Sequence, residues 1–305
     1  MVIVESAGIS DIGKKRETNE DRICVDDAMG LYLVADGMGG HQAGEVASAL
    51  VVTSVRDFLM GKGPENTAPL PDGRLSLPAG RLLAGIQWSN AVVHQAAMTR
   101  VDCRGMGSTV AAVCFADATL VAANVGDSPI YLVRNGGIDL LSVPHSLQAE
   151  IAPEAHAAYF SNVLTRAVGT KPAVEADICE LSCYKGDIVV ICSDGLSTKV
   201  AHLEILPIVT SRAPAHACRT LVDLANERGG EDNVSIVIVR VADIRRNHPP
   251  PAPGGWGNSS NGCFPGGPRA PLTERPDADP HAEIQGQRHR LLSDRKRDVP
   301  DHRPP

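Results

Sequence analysis

The chain has 305 residues, enough for one large domain or two small ones, and its 43% hydrophobic and 21% charged residues are ordinary for a soluble globular protein. Aromatic residues make up only 3%, so the core must be built mainly from Val, Ile, Leu and Ala. The net charge of -7 argues against a nucleic-acid binder that works through broad electrostatics, and it suits a cation-dependent enzyme better.

Apolar runs and turn residues predict a strand-rich chain with helices in a few blocks. Strands are expected near 2–10, 22–26, 30–36, 107–116, 118–125, 128–134, 137–142, 174–181, 186–193 and 233–241. Helices are expected at 44–60, 80–100 and 214–228, with a surface loop at 61–78. Short turns between strands imply antiparallel pairing, and clustered helices disfavour a doubly wound parallel sheet. We therefore predict an α+β protein with helices covering antiparallel sheets.

The composition changes near residue 243, where a segment rich in Pro, Gly, Asp, Arg and His begins. Twelve of the 22 prolines lie between Pro249 and Pro305. Such a segment buries too little apolar surface to offset the entropy lost when a chain becomes ordered. We predict a folded domain at 1–242 and a disordered tail at 243–305.

The cysteines and the hydropathy of the chain indicate the cellular compartment in which it works. The eight cysteines are scattered and form no Cys-x-x-Cys pair, so reduced and mostly buried thiols are expected. The first residues lack the basic region and long apolar core of a signal peptide. No stretch approaches the ~18 uninterrupted apolar residues that a membrane span needs. We expect a cytoplasmic protein.

Five short acidic motifs place an aspartate beside glycine, asparagine or serine, in most cases at the end of an apolar run. They are Asn19-Glu20-Asp21, Asp36-Gly37-Met38-Gly39-Gly40, Gly126-Asp127-Ser128, Ser193-Asp194-Gly195 and Gly230-Glu231-Asp232-Asn233. Residues 31–35 and 188–192 are typical of buried strands that deliver a carboxylate to a sheet edge. Clustered carboxylates repel one another unless a cation lies among them, and hard oxygen ligands suit Mg²⁺ or Mn²⁺. The motifs predict a divalent metal site.

The order and spacing of these and further motifs identify a family. The matching segments are 13–21, 36–48, 106–109, 124–128, 145–146, 164–169, 193–196 and 229–235. One Asp-Gly dipeptide is weak evidence because it is common in turns, but the ordered set spans residues 6 to 241. This set resembles the metal-dependent serine/threonine protein phosphatases of type 2C, in their bacterial form. The resemblance implies an α-β-β-α sandwich of two antiparallel sheets flanked by helices.

The resemblance also implies a pair of bound divalent cations, Mn²⁺ or Mg²⁺, with a third, weaker ion in bacterial relatives. The implied ligands are Asp21, Asp36, the main-chain carbonyl of Gly37, Asp127, Asp194 and Asp232. Within this set Asp36 would bridge both ions, and Asp194 and Asp232 would hold one of them. Asp21 would help to hold the pair directly or through water, with Glu20 as a neighbouring candidate. Asp127 would hold the third ion, or would be only a turn aspartate.

Arg16 and His41 complete the predicted site. Arg16 resembles the phosphate-binding arginine of the family, and its planar guanidinium suits phosphate oxygens. The alternative is that Arg16 is only a solvated surface charge. His41 is the candidate that protonates the leaving serine or threonine oxygen, or it caps the helix that begins near Gln42. Arg166 is interpreted as structural.

Two departures from the family pattern concern the neighbourhood of the site. Pro129 stands where relatives have arginine, which removes a positive charge and an amide donor. The stretch from His145 to Asn162, which should form the flap over the active site, contains Pro153, His156 and Tyr159. A cysteine-phosphatase spacing, Cys263 to Arg269, lies in the predicted tail without the rigid scaffold that such chemistry needs, so we interpret it as coincidence.

The function implied by the resemblance is hydrolysis of phosphoserine and phosphothreonine in proteins, by a water or hydroxide activated between two divalent cations. The expected partners are phosphorylated proteins and a bacterial serine/threonine kinase that the enzyme opposes, and the expected state is a monomer that binds neither nucleic acid nor membrane. Two alternatives stay open: a phosphatase-like module that binds partners without turnover, and a metal phosphoesterase for small molecules or nucleotides. The sequence does not identify the substrate protein.

Overall fold

The computed structural model describes residues 1–40, 43–64, 75–147 and 163–245. These residues belong to one compact unit, Met1–Arg245. Most of the predicted loop and flap, His41, and almost all of the predicted tail with its Cys263–Arg269 segment lie outside the described residues. The last strand continues two residues beyond the predicted boundary at 242 and ends at Ile244.

One antiparallel sheet joins the start of the chain to the end of the described part. Its strands, in spatial order, are β1 (Val2–Asp11), β11 (Val234–Ile244), β10 (Ile188–Cys192), β7 (Ile130–Arg134) and β8 (Gly137–Leu140). β-branched residues dominate β10 and β11, as expected for strands that are buried on both faces. We call this sheet A.

A second antiparallel sheet, sheet B, is built from the intervening strands. Its spatial order is β2 (Asp21–Asp26), β3 (Leu31–Met38), β5 (Val110–Ala116), β6 (Thr119–Val125) and β9 (Asp177–Ser182). The two-residue strand β4 (Gly107–Ser108) pairs with the end of β3. The predicted strand 107–116 is therefore broken at Thr109, whose amide donates to the carbonyl of Asp36 instead of continuing one ladder.

Helices cover the outer face of each sheet. Helices α1 (Ala43–Leu59) and α2 (Leu77–Thr99) pack on sheet B, and a 3-10 turn (Val101–Cys103) follows α2. Helices α3 (Asp194–Ser197), α4 (His202–Ser211) and α5 (Pro214–Glu227) lie on the sheet A side. Helix α2 begins three residues before the predicted start because Ser76 caps it, accepting a hydrogen bond from the amide of Ala79 at 3.3 Å.

The inner faces of the two sheets pack against each other. Side chains alternate along β3, so Leu33 joins the core under α1 and α2 while its buried neighbours Tyr32 and Val34 point to the opposite face. A Cβ on Gly8 of β1 would lie 2.9 Å from side-chain atoms of Ile23 and Val25 in β2, which shows how closely the sheets approach. The predicted α-β-β-α sandwich is confirmed.

The structure also bears on the predicted state of the cysteines and on the predicted lack of a membrane span. The seven described cysteines are all free thiols, as the sequence predicts, and five of them are buried. In the described ranges, no helix is both long enough and apolar enough to cross a membrane.

A buried ion pair joins the end of β7 to the turn between β9 and β10. The guanidinium of Arg134 donates to both carboxylate oxygens of Asp187, at 2.9 and 2.8 Å, and to the carbonyl of Ser182 at 2.8 Å. The ring of Tyr184 lies 4.6 Å from the guanidinium carbon. Because both charged side chains are at most 5% exposed, each depends on the other for neutralisation.

We expect Asp187→Ala to lower the free energy of unfolding by about 3–5 kcal/mol, since Arg134 would stay buried after losing this carboxylate. Urea unfolding followed by circular dichroism measures the change. The exposed pair Arg100–Asp102, with its atoms 2.7 Å apart, gives a matched control, and Asp102→Ala should leave the unfolding midpoint unchanged. Equal losses in the two variants would contradict a special role for the buried pair.

Candidate active site

Strand register brings the first two predicted aspartates together. Asp21 begins β2 and lies directly opposite Asp36 of β3 in the antiparallel ladder. Like charges at directly opposed positions destabilise a sheet, so this pairing is not explained by strand stability. Thr109 fixes the main chain of Asp36 from the other side, because its amide donates to the Asp36 carbonyl at 2.8 Å and its hydroxyl accepts from the Asp36 amide at 3.0 Å.

Sheet A supplies the next two aspartates from the ends of neighbouring strands. Asp194 follows β10 as the first residue of α3, and Asp232 lies two residues before β11. A Cβ on Gly195 would overlap the main-chain oxygen of Asn233, so glycine is required for these two segments to approach so closely. The carboxyl groups of Asp36 and Asp194 are within hydrogen-bonding reach of each other.

A serine connects the acidic ends of the two sheets. The hydroxyl of Ser193 donates to Asp21 Oδ2 at 2.8 Å and accepts from the amide of Ser235 at 3.0 Å. Ser193 and Asp21 are both almost fully buried, at 0% and 1% exposure. This hydrogen bond therefore holds the start of β2 against the ends of β10 and β11.

The aspartates strongly perturb one another. Burial, together with the charges of Asp194 and Asp232, raises the pKa of Asp21 to about 7, despite the hydrogen bond from Ser193. Burial likewise raises the pKa of Asp36 well above its usual range, with added repulsion from Asp21, Asp194 and Asp232. Burial and the charge of Asp232 raise the pKa of Asp194. The protein thus gathers carboxylates that resist ionisation unless positive charge arrives.

The chemistry of this cluster fits a hard divalent cation. Asp21 Oδ1 is buried and has no hydrogen-bond partner among the described residues, which is costly for a carboxylate oxygen unless a ligand satisfies it. Carboxylate and carbonyl oxygens are the ligands that Mg²⁺ and Mn²⁺ prefer. In the described ranges, however, no three Asp, Glu, His or Cys side chains are arranged so that they would hold an ion as they stand. The donor set fits, and these side chains would have to turn toward the ion.

Gly37 lies where the main chain of β3 passes close to the start of α1. Its amide donates to the carbonyl of Glu20 at 3.2 Å, and a Cβ at this position would overlap the main-chain oxygen of Gly44 in α1. A Cβ on Gly44 would in turn collide with the Glu20 carboxylate, whose pKa is raised chiefly by burial. Both glycines are therefore needed for α1 to begin against the cluster.

The segment that carries Arg16 is held against the segment that carries Asp232. Gly13 has φ +79°, and a Cβ there would overlap the main-chain oxygen of Asp232. Arg16 Nη2 lies 2.8 Å from Asp232 Oδ2, with both side chains partly exposed. This hydrogen bond, together with the charges of Glu20 and Asp36, raises the pKa of the guanidinium in spite of its partial burial. Arg16 thus lies at the acidic cluster.

A cavity opens beside the cluster on the side of Asp127. Its volume is about 460 Å³, and its lining residues are Asp127, Pro144, Ser146, Asp194, Gly195, Ser197, Thr198, Lys199, Glu231 and Asp232. Burial and the nearby charge of Asp194 raise the pKa of Asp127 to about 6. Pro129 lies at the entry to β7, where its carbonyl accepts from the amide of Cys192 at 3.1 Å. Proline is accommodated there, and the neighbouring Asp127 still lines the cavity.

Comparison with known proteins agrees with this geometry. The sequence profile of the family described as Protein phosphatase 2C matches residues 13–228. The chain belongs to the protein phosphatase 2C family. A protein named serine/threonine phosphatase stp, from Listeria welshimeri, is 34% identical over 241 residues, which cover 75% of this chain and 93% of that protein.

Two solved structures show the same phosphatase 2C fold. The serine/threonine phosphatase PstP/Ppp of Mycobacterium tuberculosis is 30% identical, with a TM-score of 0.69 and coverage of 80% of this chain and 100% of that chain. The catalytic domain of PstP in complex with two manganese ions is 29% identical, with a TM-score of 0.68 and coverage of 80% and 100%. The family and the fold expected from the sequence are confirmed.

The structure brings together most of the residues that the sequence predicted for this phosphatase site. Asp21, Asp36, Gly37, Asp194, Asp232, Arg16 and Asp127 lie at one end of the sandwich or beside its cavity. His41 lies outside the described residues, so its assignment as general acid stays a prediction. The same holds for residues 148–162 of the predicted flap. The metal and phosphate roles of the assembled residues also remain predictions.

Asn233 is a residue of the site to which the sequence analysis assigned no role. It is 3% exposed, its side-chain amide donates to the carbonyls of Ile12 and Thr18, and its Oδ1 accepts from the amide of Glu20 at 2.8 Å. One side chain therefore shapes the whole segment that carries Arg16. The available signal was its place in the Asp232-Asn233 motif, because a buried asparagine after an aspartate is well suited to holding a loop.

The raised pKa of Asp21 predicts how the stability of the metal-free protein depends on pH. Folded Asp21 binds its proton more tightly than the unfolded chain does, so this stabilisation is present at low pH and is lost as the pH rises from about 4 to about 7. In EDTA, we expect the free energy of unfolding to fall between pH 5 and pH 8 by an amount on the order of 2 kcal/mol from this group alone.

Urea unfolding of the wild type and of Asp21→Asn in EDTA tests this prediction. Asparagine keeps an acceptor for the Ser193 hydroxyl but cannot ionise, so the variant should show a shallower dependence on pH. Identical slopes for the two proteins would contradict the assignment of the raised pKa to Asp21.

Proposed function

We propose that this chain is a metal-dependent protein serine/threonine phosphatase that hydrolyses phosphoserine and phosphothreonine in proteins. The observation that carries the proposal is the cluster of Asp21, Asp36, Asp194 and Asp232 at one end of the sandwich, with a buried carboxylate oxygen that lacks a partner among the described residues. Arg16 borders this cluster, and the cavity beside it is open to solvent-borne substrates. Family membership supports the proposal.

The cofactor we propose is a pair of Mn²⁺ or Mg²⁺ ions. Asp36 would contact both ions, the carbonyl of Gly37 would contact one, and Asp194 and Asp232 would hold the other with help from Asp21. Asp127 would hold a third, weaker ion. When bound, such ions supply an activated water and neutralise the charge of the phosphate. The manganese ions of PstP, named with that structure, support this choice.

The chain's own residues bind and orient the phosphate. The guanidinium of Arg16 presents a planar fork of N–H donors that can grip two phosphate oxygens. Asn233 fixes the main chain on both sides of this arginine through Ile12 and Thr18, so the fork is presented from a constrained segment. The proton for the leaving serine or threonine oxygen is assigned to His41.

The partners of this enzyme are phosphorylated proteins, and its proposed setting is the reversal of a bacterial serine/threonine kinase in the cytoplasm. We propose that it acts as a monomer, with the catalytic domain at its N-terminal side and the Pro-rich tail after it. Relatives named as serine/threonine phosphatases support the substrate class.

The alternative functions make different predictions for one assay. A module that only binds partners would release no phosphate, and a small-molecule phosphoesterase would prefer a simple phosphate ester over a phosphopeptide. The retained carboxylates weigh against the binding module, because a site without turnover has no need to keep mutually repelling acids.

We expect phosphate release from a phosphothreonine peptide in Mn²⁺ and none in excess EDTA. Asp36→Asn should reduce turnover to background while the circular dichroism spectrum and unfolding midpoint stay close to those of the wild type, because asparagine is nearly isosteric but carries no charge. Asp102→Asn at the surface is the matched control and should retain full activity. Metal-dependent release by Asp36→Asn at the wild-type rate would overturn the proposed role of Asp36.

Arg16→Lys should raise KM for the phosphopeptide and lower kcat/KM by about tenfold, since lysine keeps the charge but loses the two-point grip on phosphate. Lys15→Gln, one residue away in the same basic run, should change kcat/KM little. Steady-state kinetics at saturating Mn²⁺ measures both variants. If Arg16→Lys had no effect and Lys15→Gln lowered kcat/KM, only the general positive charge of this segment would matter and the two-point grip would be contradicted.

A further inference from the structure

His145 is a buried histidine that the proposed chemistry does not use. It is 1% exposed and lies between β8 and the end of the described range at Leu147. Its ring contacts three separate segments of the chain, which carry Gly126, Arg166 and Asp177. A fully buried histidine with polar contacts on both ring nitrogens calls for an explanation beyond core packing.

The hydrogen bonds of the ring define where its proton lies. The amide of Gly126 donates to His145 Nδ1 at 3.1 Å, and an amide can only donate. Nδ1 is therefore an acceptor, and the proton of the neutral ring is on Nε2. Nε2 lies 2.7 Å from Asp177 Oδ2, the same oxygen that accepts from Arg166 Nη1 at 3.0 Å. Asp177 thus orients the imidazole so that Nδ1 faces Gly126.

The main chain reinforces this contact. The amide of His145 donates to the carbonyl of Gly126 at 3.0 Å, so two hydrogen bonds of opposite direction join these residues. The carbonyl of His145 accepts from the amide of Thr165 at 3.0 Å. Nearby, Asn124 pairs with Val143 through both its side-chain atoms, at 2.7 and 3.1 Å. His145 is the residue through which Gly126 is tied to the segment that returns at 163–166.

Gly126 is constrained from its other side by Thr109. It has φ +101°, and a Cβ there would overlap the side chain of Thr109. The hydroxyl of Thr109 also accepts from the amide of Asp36, and it lies 2.8 Å from the hydroxyl of Ser128. Gly126 is therefore clamped between His145 and the residue that fixes the main chain of Asp36. The next residue, Asp127, lines the cavity.

We propose that His145 is a positioning residue of the phosphatase: its Nδ1, oriented by Asp177, holds the Gly126 amide and thereby fixes the Asp127 carboxylate on the cavity wall beside Asp194. This inference rests on the proposed function. In this proposal, the hydrogen bond at Nδ1 affects turnover directly. The stronger, charge-assisted bond at Nε2 affects turnover only indirectly, because it orients the ring. The two bonds can be removed one at a time.

Two substitutions separate the two ring nitrogens. In His145→Asn, the amide oxygen can take the position of Nδ1 and accept from Gly126, but the side chain no longer reaches Asp177. In His145→Gln, the amide nitrogen can take the position of Nε2 and donate to Asp177, but no acceptor faces Gly126. Because a bond to a carboxylate is stronger than a bond between neutral groups, His145→Gln should be the more stable variant.

The experiment measures stability, kinetics and amide exchange on the full-length wild type and both variants. We expect thermal unfolding midpoints in the order wild type, Gln, Asn. With a phosphothreonine peptide and saturating Mn²⁺, we expect kcat to fall about tenfold in His145→Gln, to stay within about threefold of wild type in His145→Asn, and KM to change little. Hydrogen exchange of the Gly126 amide should be slow in wild type and in His145→Asn and fast in His145→Gln.

A purely structural histidine predicts the opposite ranking, in which the more stable Gln variant is the more active one. That ranking, equal kcat values, or failure of either variant to fold would overturn the proposal. If wild type released no phosphate in Mn²⁺, the proposed function would fail instead, and exchange of the Gly126 amide would still decide whether Nδ1 holds this loop.

Discussion

The repulsion among buried carboxylates is the constraint on which the rest of this structure depends. Asp21 and Asp36 face each other across a strand pair, and Asp194 and Asp232 approach them from the other sheet. Nothing in a sheet favours that arrangement in the absence of bound cations. The compensation comes from the buried strands behind the site, residues 31–35, 188–192 and 234–239, whose apolar side chains pack on both faces of each sheet.

Much of the fold follows from local patterns in the sequence. The apolar runs ending at Asp36 and before Ser193 predicted buried strands, and each of those strands lies between two others in its sheet. Helix α4 was not predicted, because Pro207 stands inside it and local rules count proline against a helix interior. Its burial of Ile205 and Val209 against sheet A outweighs that local penalty. The break at Thr109 also escaped prediction, since it depends on hydrogen bonds to Asp36, 73 residues away.

The candidate site, like the fold, was predicted only in part from the sequence. The ordered motifs predicted which acids and which arginine would meet, because each motif carries its own residue types. They did not predict the contacts between motifs, such as Arg16 with Asp232, 216 residues apart, or Ser193 with Asp21, 172 residues apart. Those contacts depend on the register of β1, β2, β10 and β11, and register is a property of the assembled sheets. The contacts of Asn233 and His145 became visible only with that assembly.

Glycines explain how main-chain segments come close enough to place the acids. Cβ atoms at Gly13, Gly37 and Gly195 would each overlap a main-chain oxygen of another segment, so these segments meet through their backbones. Backbone contacts cannot adjust by choosing another rotamer, and they leave little freedom in the positions of Arg16, Asp36 and Asp194. Among the described residues, no three Asp, Glu, His or Cys side chains are arranged to hold an ion as they stand. A cation-dependent centre built in this way has a backbone frame that is fixed before the ion arrives, and ion binding would have to adjust the carboxylates within that frame.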